Sequence, residues 1–245
     1  MILTYGDSKI GLVRKLNEDA IDLSVPHLFI LADGMGGYEG GQIASHIAVK
    51  ETADFFTKGE ETSFSETSLK ESILCANRAI LKEKETCPKL ASMGTTMVVG
   101  AISEDTLYWA HVGDSRLYLL EDGKLSQITV DHSFVMELVT EGKISKEEMR
   151  FHPRKNEITR AVGIDDTLKV DTGHVSLKEG DMILLCSDGL SGMVEGDTIE
   201  KVLQECPGQS EADVKAAGEK LMQLVYEAGA RDNVSLILGF YKNRD

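Results

Sequence analysis

The chain has 245 residues, 42% of them hydrophobic, which is enough for one large or two small domains with an ordinary globular core. Acidic residues (41) outnumber basic ones (26), and the net charge of -15 makes binding to nucleic-acid phosphates unfavourable over most of the surface. Residues 1–11 show no signal-peptide pattern, and no run approaches the roughly 18 apolar residues of a membrane span. We therefore expect a cytoplasmic protein that contacts neither nucleic acid nor membrane, that acts as a monomer, and whose cysteines, which show no CxxC spacing, are reduced and partly buried.

The first third of the chain predicts strands followed by two amphipathic helices. Strands are expected at 2–7 and 20–23, joined by a densely charged connection. Five apolar residues at 28–32 suit a buried strand that delivers Asp33 into a turn formed by glycines 34, 36 and 37. Apolar residues at three- to four-residue spacing predict a helix over 41–57 and another through 69–80, the second capped by Ser65 or Ser68.

The rest of the chain is richer in strands. Segments 95–102, 106–112, 116–121 and 124–129 are expected to form a meander, with a hairpin turn at 121–124. Residues 132–160 are polar and helix-prone, which indicates a lid-like flap insertion. A strand at 168–175 and a buried strand at 182–186 follow, and the second one leads to Asp188-Gly189. A helix over 211–228 precedes Asp232 and a final buried strand at 234–241.

The order of these elements predicts the fold class. Helices cluster between blocks of strands instead of alternating with them, which favours antiparallel sheets over a doubly wound parallel sheet. No segment has the composition of a flexible linker. We expect a single domain over residues 1–245 of the α+β class: a four-layer α-β-β-α sandwich with two mostly antiparallel sheets face to face and helices on both outer sides.

Three carboxylates are expected to meet at one end of this core. Asp33 and Asp188 each follow a buried strand, and Asp232 precedes a strand that can run antiparallel to both. Carboxylates held close together raise one another's pKa unless cations compensate. Oxygen ligands without His or Cys select hard ions such as Mg²⁺ or Mn²⁺. Two such ions lower the pKa of a water and stabilise in-line displacement at phosphorus, so the pattern points to phosphoester hydrolysis.

Eight short motifs, in order along the chain, resemble those of a known family. The chain is similar to the metal-dependent serine/threonine protein phosphatases of type 2C, the PPM family, in their bacterial form. Each motif alone is weak evidence, whereas eight in order are specific. They are Arg14-Lys15-Leu16-Asn17-Glu18-Asp19, Ala32-Asp33-Gly34-Met35-Gly36-Gly37, Gly94-Thr95-Thr96, Val112-Gly113-Asp114-Ser115-Arg116, Asp131-His132-Ser133, Thr159-Arg160-Ala161-Val162-Gly163, Ser187-Asp188-Gly189-Leu190 and Arg231-Asp232-Asn233-Val234-Ser235.

The resemblance implies a metal centre with two ions. In this family pattern Asp33 bridges both ions, and Asp188 and Asp232 bind the first. The carbonyl of Gly34 binds the second ion, and Glu18 holds that ion's water. The cofactor implied is Mn²⁺ or Mg²⁺.

The resemblance also implies a phosphate ligand and a third metal site. Arg14 would bind the substrate phosphate through its guanidinium group. Asp114 and Asp188 would form a third, weaker metal site. Two structural alternatives stay open: Arg14 and Glu18 as a surface ion pair, and Asp114 as a plain turn residue. Arg160 is expected to anchor the flap instead of touching substrate.

Several roles stay unassigned. Asp19 and Asp131 either support the ligands or serve the fold. Animal members carry a histidine, credited with protonating the leaving group, where this chain has Met35, and many bacterial members have histidine where it has Tyr38. The general acid is therefore open, with His152 of the flap or water as candidates.

The implied function is hydrolysis of phosphoserine and phosphothreonine in proteins, by attack of a water that bridges the two metal ions and without a phosphoenzyme. The implied counterpart is a serine/threonine kinase that acts on the same phosphoproteins. One alternative is a catalytically silent relative that serves as a regulatory scaffold, although such a relative has no reason to keep the full acidic set. Another is a two-metal nuclease, which the net charge of -15 disfavours.

Overall fold

The computed structural model describes residues 1–37, 39–58, 63–149 and 151–242, so Tyr38 lies outside the described residues. The strands are β1 Ile2–Lys9, β2 Asp19–Asp22, β3 Leu28–Met35, β4 Gly94–Thr95, β5 Met97–Ser103, β6 Thr106–Val112, β7 Arg116–Glu121, β8 Lys124–Gln127, β9 Asp171–Ser176, β10 Met182–Cys186 and β11 Val234–Tyr241. The helices are α1 Gly40–Lys58, α2 Glu66–Thr86, α3 Phe134–Thr140, α4 Lys146–Met149, α5 Asp188–Ser191, α6 Gly196–Gln204 and α7 Glu211–Glu227, and Pro88–Leu90 forms a 3₁₀ turn.

Two antiparallel sheets form the centre of the molecule. One has the order β1-β11-β10-β7-β8, and the other has the order β2-β3-β5-β6-β9 with β4 paired to β3. The apolar residues between the sheets include Phe29, Leu31, Leu185 and Ile237. The strands are buried on both faces because helices cover the outer sides, which explains the continuous apolar runs of β3, β10 and β11.

Each sheet carries its own helical layer. Helices α1 and α2 pack on the sheet that contains β3 through a core that includes Ile30, Ala48 and Ile73. Helices α5, α6 and α7 pack on the other sheet through residues that include Leu184 and Leu221. The α+β class and the α-β-β-α layers expected from the sequence are confirmed. Among the described residues, none of the helices combines the length and apolar composition needed to cross a membrane.

Local signals at helix and hairpin ends are also confirmed. Ser65 caps α2: its hydroxyl accepts the Ser68 backbone N–H at 3.1 Å, and the Ser68 hydroxyl accepts the Ser65 N–H at 2.9 Å. The hairpin between β7 and β8 turns at Asp122 and Gly123, both with positive φ, which is the geometry of a tight two-residue loop. The cysteines are free, and Cys186 is buried.

The expected meander is wrong. Strands β5 and β6 pair with each other, and β7 pairs with β8, but β6 and β7 belong to different sheets. The link between them crosses from one sheet to the other at Gly113, whose φ is 112°. Periodicity along the chain indicates which residues are buried but not which strands pair with each other. It therefore could not predict this crossing.

The expected turn at Asp33-Gly34 is also wrong. Strand β3 continues to Met35, because Gly34 and Met35 pair with Thr95 and Gly94 of β4. Glycine is needed at position 34 for close packing: a Cβ there would overlap the carbonyl oxygens of Gly41 and Glu18. Asp33 therefore lies within a strand, which fixes its backbone more firmly than a turn would.

Two smaller differences concern the start of one strand and a helix that the sequence did not predict. Strand β9 begins at Asp171, three residues after the expected start at 168. Helix α6 was not expected, because its apolar residues follow the glycine-rich segment around Asp188 without a capping signal that separates them.

Candidate active site

The ends of three strands bring Asp33, Asp188 and Asp232 together. In the antiparallel pair of β10 and β11, Cys186 lies opposite Leu236. Asp188, just after β10, and Asp232, just before β11, therefore lie at the same end of two neighbouring strands. Asp33 comes from β3 in the facing sheet, and its carboxyl group lies close enough to those of Asp19 and Asp188 for their charges to raise its pKa. The convergence of carboxylates expected from the sequence is present.

The pKa values of this cluster are raised. Burial, followed by the charges of Asp19 and Asp188, raises the pKa of Asp33 well above its ordinary range. Burial and the neighbouring Asp232 raise the pKa of Asp188. Burial, followed by the charge of Asp188, raises the pKa of Asp114 to about 7. These side chains are partly accessible from the cleft but enclosed by protein on their other sides. Carboxyl groups in such surroundings are a frequent mark of functional sites.

Asp19 supports Asp33 from the neighbouring strand. The two residues lie opposite each other in the pairing of β2 and β3. One oxygen of Asp19 accepts hydrogen bonds from the hydroxyls of Ser187 at 2.9 Å and Ser235 at 2.7 Å. Its other oxygen is buried without a partner among the described residues. Burial raises the pKa of Asp19 to about 6, although the two hydroxyls oppose the shift.

Glu18 and Gly34 lie together at the start of α1. The Gly34 N–H donates to the Glu18 carbonyl oxygen at 3.0 Å. The Glu18 carboxylate lies against the backbone of Gly41 in the first turn of α1, and its Oε1 atom is buried with no hydrogen-bond partner among the described residues. Burial is the main cause of the raised pKa of Glu18. A buried carboxylate oxygen without a partner is costly unless a ligand satisfies it.

Arg14 reaches Asp232 from a loop that Asn233 holds in place. Arg14 Nη2 donates to Asp232 Oδ2 at 2.7 Å, which raises the pKa of Arg14. Asn233 Oδ1 accepts the Glu18 N–H at 2.9 Å, and Asn233 Nδ2 donates to the carbonyl oxygens of Ile10 at 3.0 Å and Leu16 at 2.9 Å. One amide side chain therefore fixes the loop that carries both Arg14 and Glu18.

The crossing between β6 and β7 places Asp114 beside Asp188. The hydroxyls of Thr96 and Ser115 form a hydrogen bond of 2.7 Å next to this crossing. Asp131 does not join the carboxylate cluster, since it forms a bidentate ion pair with Arg116, at 2.6 Å for the shortest contact. Asp131 therefore neutralises the guanidinium group of Arg116, and it lines the same cleft as Asp114 and Asp188.

The segment 132–160 is joined at its base. Ser133 and Ile158 form an isolated antiparallel bridge, and the Thr159 N–H donates to the His132 carbonyl oxygen at 2.8 Å. Arg160 donates to Asp171 Oδ1 of β9 at 2.8 Å, which agrees with an anchoring role. A cleft of about 470 Å³ lies between this segment and the carboxylate cluster. Its lining includes Asp114, Asp188, Met136, Lys146, Phe151 and Lys155.

The contacts of Met35 and His152 do not assign the general acid to either residue. Met35 ends β3 and has no proton to donate. His152 packs its ring against Phe134 of the flap, with centroids 5.9 Å apart, and its Nδ1 accepts the Arg154 N–H at 3.1 Å. Both contacts are internal to the flap.

The residues present fit a divalent metal ion. The donor set is oxygen only, it carries uncompensated negative charge, and it includes the unpartnered Glu18 Oε1. Among the described residues, no three His, Cys, Asp or Glu side chains surround one point in ligating geometry. In this arrangement Arg14 binds one oxygen of Asp232.

The raised pKa values predict how stability changes with pH when chelator is present. A carboxyl group with a raised folded-state pKa stabilises the fold while protonated, and this contribution is lost as the pH rises through that pKa. We expect the Tm in EDTA to fall between pH 6.5 and 8, chiefly through Asp114, whose pKa is about 7, and Asp33. The window begins at 6.5 because buried His111, with its pKa lowered to about 3, gives the opposite slope at lower pH.

Differential scanning fluorimetry at half-unit pH steps measures this dependence. Asp114→Asn should flatten the slope. Excess Mn²⁺ should reverse it, since metal binding requires deprotonated carboxylates. A Tm that rises with pH in EDTA would contradict the assigned shifts.

Comparisons with known proteins agree with this geometry. The family model described as Protein phosphatase 2C matches residues 13–235. A serine/threonine phosphatase stp of Listeria monocytogenes is 38% identical over 218 residues, which cover 86% of this chain and 83% of that protein. The serine/threonine protein phosphatase PstP of Mycobacterium tuberculosis is 36% identical over 247 residues, which cover 97% of this chain and 45% of that protein.

Solved structures give the same result. A crystal structure of M. tuberculosis PstP superposes with a TM-score of 0.89 at 34% identity, with 99% of each chain covered. The PstP catalytic domain in complex with two manganese ions gives a TM-score of 0.88, again at 34% identity and 99% coverage of each chain.

The sandwich and its carboxylate-lined cleft, together with these relatives, define the class: the chain is a protein serine/threonine phosphatase. Since the family model spans most of the sequence, the chain belongs to the protein phosphatase 2C family, in the bacterial branch known as PPM-type.

Sequence reasoning left two supporting features of the site unidentified. It placed Asn233 in a motif but gave it no role, and it left Asp19 undecided between support and fold. The side-chain partners of both residues lie far away in sequence: Ser187 and Ser235 for Asp19, and Ile10 and Leu16 for Asn233. No local pattern reports such contacts.

Proposed function

We propose that the chain hydrolyses phosphoserine and phosphothreonine in proteins at the cleft formed by Asp33, Asp188 and Asp232, by direct displacement at phosphorus. The observation that carries this proposal is the group of buried, mutually repelling carboxyls beside the Arg14 guanidinium. Such a group is stabilised by divalent cations, and a guanidinium group next to it suits a phosphate dianion. The expected substrates are phosphoproteins, and the expected counterpart is a serine/threonine kinase acting on them.

The residues proposed to hold Mn²⁺ or Mg²⁺ come from four separate segments of the chain. Asp33 would hold both ions of a core pair, with Asp188 and Asp232 on the first and the Gly34 carbonyl on the second. Glu18, whose Oε1 has no partner among the described residues, would accept a hydrogen bond from a water molecule on the second ion. When bound, the ions would lower the pKa of a water and neutralise charge that develops on the phosphoryl oxygens. The manganese-bound PstP structure supports the choice of cofactor.

The chain's own residues bind and orient the substrate. Arg14 is half-exposed, and only one of its nitrogens is engaged by Asp232. The remaining guanidinium donors are available for two phosphoryl oxygens in a fixed fork. Because Asn233 holds the Arg14 loop, this donor set is preorganised, so little entropy is lost when phosphate binds.

The proposal includes no phosphoenzyme. Cys186 is buried, and its pKa is raised to about 12, so its thiol is not a nucleophile at neutral pH. The hydroxyls of Ser187 and Ser235 both donate to Asp19. The side chains next to the cluster are thus engaged in the fold, which leaves water as the nucleophile.

A third, weaker metal site is proposed at Asp114 and Asp188. The raised pKa of Asp114, caused by burial and by the charge of Asp188, indicates that these two carboxyls share a space that a cation would stabilise. We also propose that residues 1–245 act as one phosphatase domain in which residues 132–160 form a flap over the cleft. The bridge between Ser133 and Ile158 at the base of that segment supports this view.

The test is hydrolysis of a phosphothreonine peptide with Mn²⁺. We expect turnover by the wild type, its complete loss in EDTA, and a loss in kcat of about 10²- to 10³-fold in Asp188→Asn, because transition-state charge is no longer neutralised. A matched control is Asp122→Asn. Asp122 belongs to the Asp-Gly pair in the hairpin between β7 and β8, and its side chain is 86% exposed. That variant should retain wild-type kcat.

Two outcomes would contradict the proposal. Turnover in EDTA at the wild-type rate would remove the metal ions from the reaction. Binding of Mn²⁺ by calorimetry, without hydrolysis of any phosphoester, would instead favour a regulatory scaffold that keeps the fold and the metal centre but not the activity.

A further inference from the structure

Exposed apolar side chains are concentrated in one short loop. Among the described residues, eight large hydrophobic side chains are exposed, and four of them lie within residues 10–16. The two most exposed of the four are consecutive, Leu12 at 64% and Val13 at 66%. We call these two side chains the apolar ridge. Single exposed apolar residues need no explanation, whereas a cluster of them marks an interaction surface.

The loop that carries the apolar ridge is held at three points. The Leu12 N–H donates to the Ala230 carbonyl oxygen at 2.8 Å, and Asn233 Nδ2 binds the carbonyl oxygens of Ile10 and Leu16. The backbone of Gly11, with φ of 78°, also packs so closely on residues 230 and 232 that a Cβ would overlap their carbonyl oxygens. These bonds hold the ridge outward, so it cannot bury itself by folding back onto the protein.

The ridge continues directly into the proposed phosphate site. Val13 precedes Arg14, whose guanidinium group contacts Asp232. Consecutive Cα atoms are about 3.8 Å apart, so the ridge lies within roughly 7 Å of the Arg14 backbone. A substrate segment with its phosphoryl group at the Arg14 guanidinium extends by about 3.3–3.6 Å per residue, so its neighbouring residues are within reach of the loop that carries the ridge.

We propose that the apolar ridge binds an apolar side chain located one or two residues from the phosphorylated serine or threonine of the substrate protein, and so selects among phosphoproteins. This inference rests on the proposed function, because it requires the phosphate to bind at Arg14. The occupant is a phosphoprotein segment, because the ridge is continuous in the chain with Arg14, the proposed phosphate ligand. An anionic membrane surface is disfavoured by the net charge of -15.

The test compares two phosphothreonine peptides that differ at one flanking residue, leucine or serine. Rates on p-nitrophenyl phosphate, which has no flanking residue, normalise each enzyme variant. We expect the wild type to prefer the leucine peptide in kcat/KM by about three- to tenfold, the range for partial burial of one aliphatic side chain. The preference should appear mainly in KM. The double variant Leu12→Ser, Val13→Ser should lower the ratio to near one.

The control is Val130→Ser, which removes an exposed apolar side chain (58% exposed) from another loop. It should keep the wild-type preference. Equal ratios in the wild type and the double variant, or an equal loss in Val130→Ser, would overturn the inference. A change of oligomeric state in the double variant, measured by light scattering, would overturn it in favour of a contact between copies of the chain. A wild type inactive on p-nitrophenyl phosphate with Mn²⁺ would overturn the proposed function, and with it this inference.

Discussion

Asp33→Asn is expected to abolish phosphatase activity and, at the same time, to raise the Tm of the protein in EDTA. Activity on a phosphothreonine peptide with Mn²⁺ should fall by about 10⁴-fold, since the residue proposed to hold both ions loses its charge. Stability should rise because burial and the neighbouring carboxylates hold the pKa of Asp33 far above its ordinary range, so its ionised form is unfavourable in the fold. An asparagine amide is neutral and can donate to both Asp19 and Asp188.

A loss of activity together with a rise in Tm distinguishes a functional carboxylate from a structural one, whose replacement lowers the Tm. Thermal unfolding in EDTA and in Mn²⁺, together with initial rates, measures both. Wild-type protein should gain stability from Mn²⁺, and Asp33→Asn should lose most of that gain.

Asp131→Asn is the matched control. This aspartate pairs with buried Arg116 and lies outside the carboxylate cluster, so its replacement should lower stability by about 2 kcal/mol, the cost of weakening hydrogen bonds to a charged group. Lower stability of Asp33→Asn in EDTA would contradict the view that Asp33 is strained in the fold for the sake of metal binding.

Gly34→Ala is expected to cost about 3 kcal/mol of stability or more, near the upper end of overpacking penalties, and to eliminate activity. A Cβ at this position would overlap the carbonyl oxygens of Gly41 and Glu18. Both are backbone atoms, so relief requires the start of α1 or the loop of Glu18 to move. Such a move would displace Glu18 and the Gly34 carbonyl, which are both proposed to serve the second metal ion.

The control for this change lies three residues away in the same glycine-rich motif. A Cβ at Gly37 meets no atom within 4 Å, and its φ is not positive. Gly37→Ala should therefore stay within about 1 kcal/mol of the wild type. Urea unfolding followed by circular dichroism, with rates on p-nitrophenyl phosphate, distinguishes the two variants. Equal effects of both changes would mean that the motif matters for its flexibility and not for the close packing at residue 34.

Asp33, Asp188 and Asp232 could be found in the sequence because each adjoins a buried apolar strand, whereas the site roles of Glu18 and Asp114 came from the family resemblance. Leu28–Ala32 and Met182–Cys186 are runs of five apolar residues, and each leads into an Asp-Gly pair. Strands buried on both faces have this composition wherever helices cover a sheet, so the fold class followed as well. The motif order then supplied the family, which the comparisons confirm.

Strand pairing and side-chain partners could not be found in this way. The separation of β6 and β7 into different sheets depends on which apolar surfaces pack together, and the two strands look alike in sequence. Asp19 and Asp131 are similar in sequence terms, because each is an aspartate in one of the eight motifs. Only the tertiary structure shows that Asp19 borders Asp33, whereas Asp131 neutralises Arg116.

Asp33 shows both sides of this division. The sequence by itself determined that a carboxylate follows a buried strand and belongs to an acidic set, because hydrophobic burial has a local period that the chain displays directly. Only the tertiary structure decided that Asp33 lies inside β3, where pairing with β4 fixes its backbone, and that Asp19 and Asp188 raise its pKa. Electrostatic coupling depends on distances in space: the pairing of β2 with β3 places Asp19 beside Asp33, and the packing of the two sheets brings Asp188 to them.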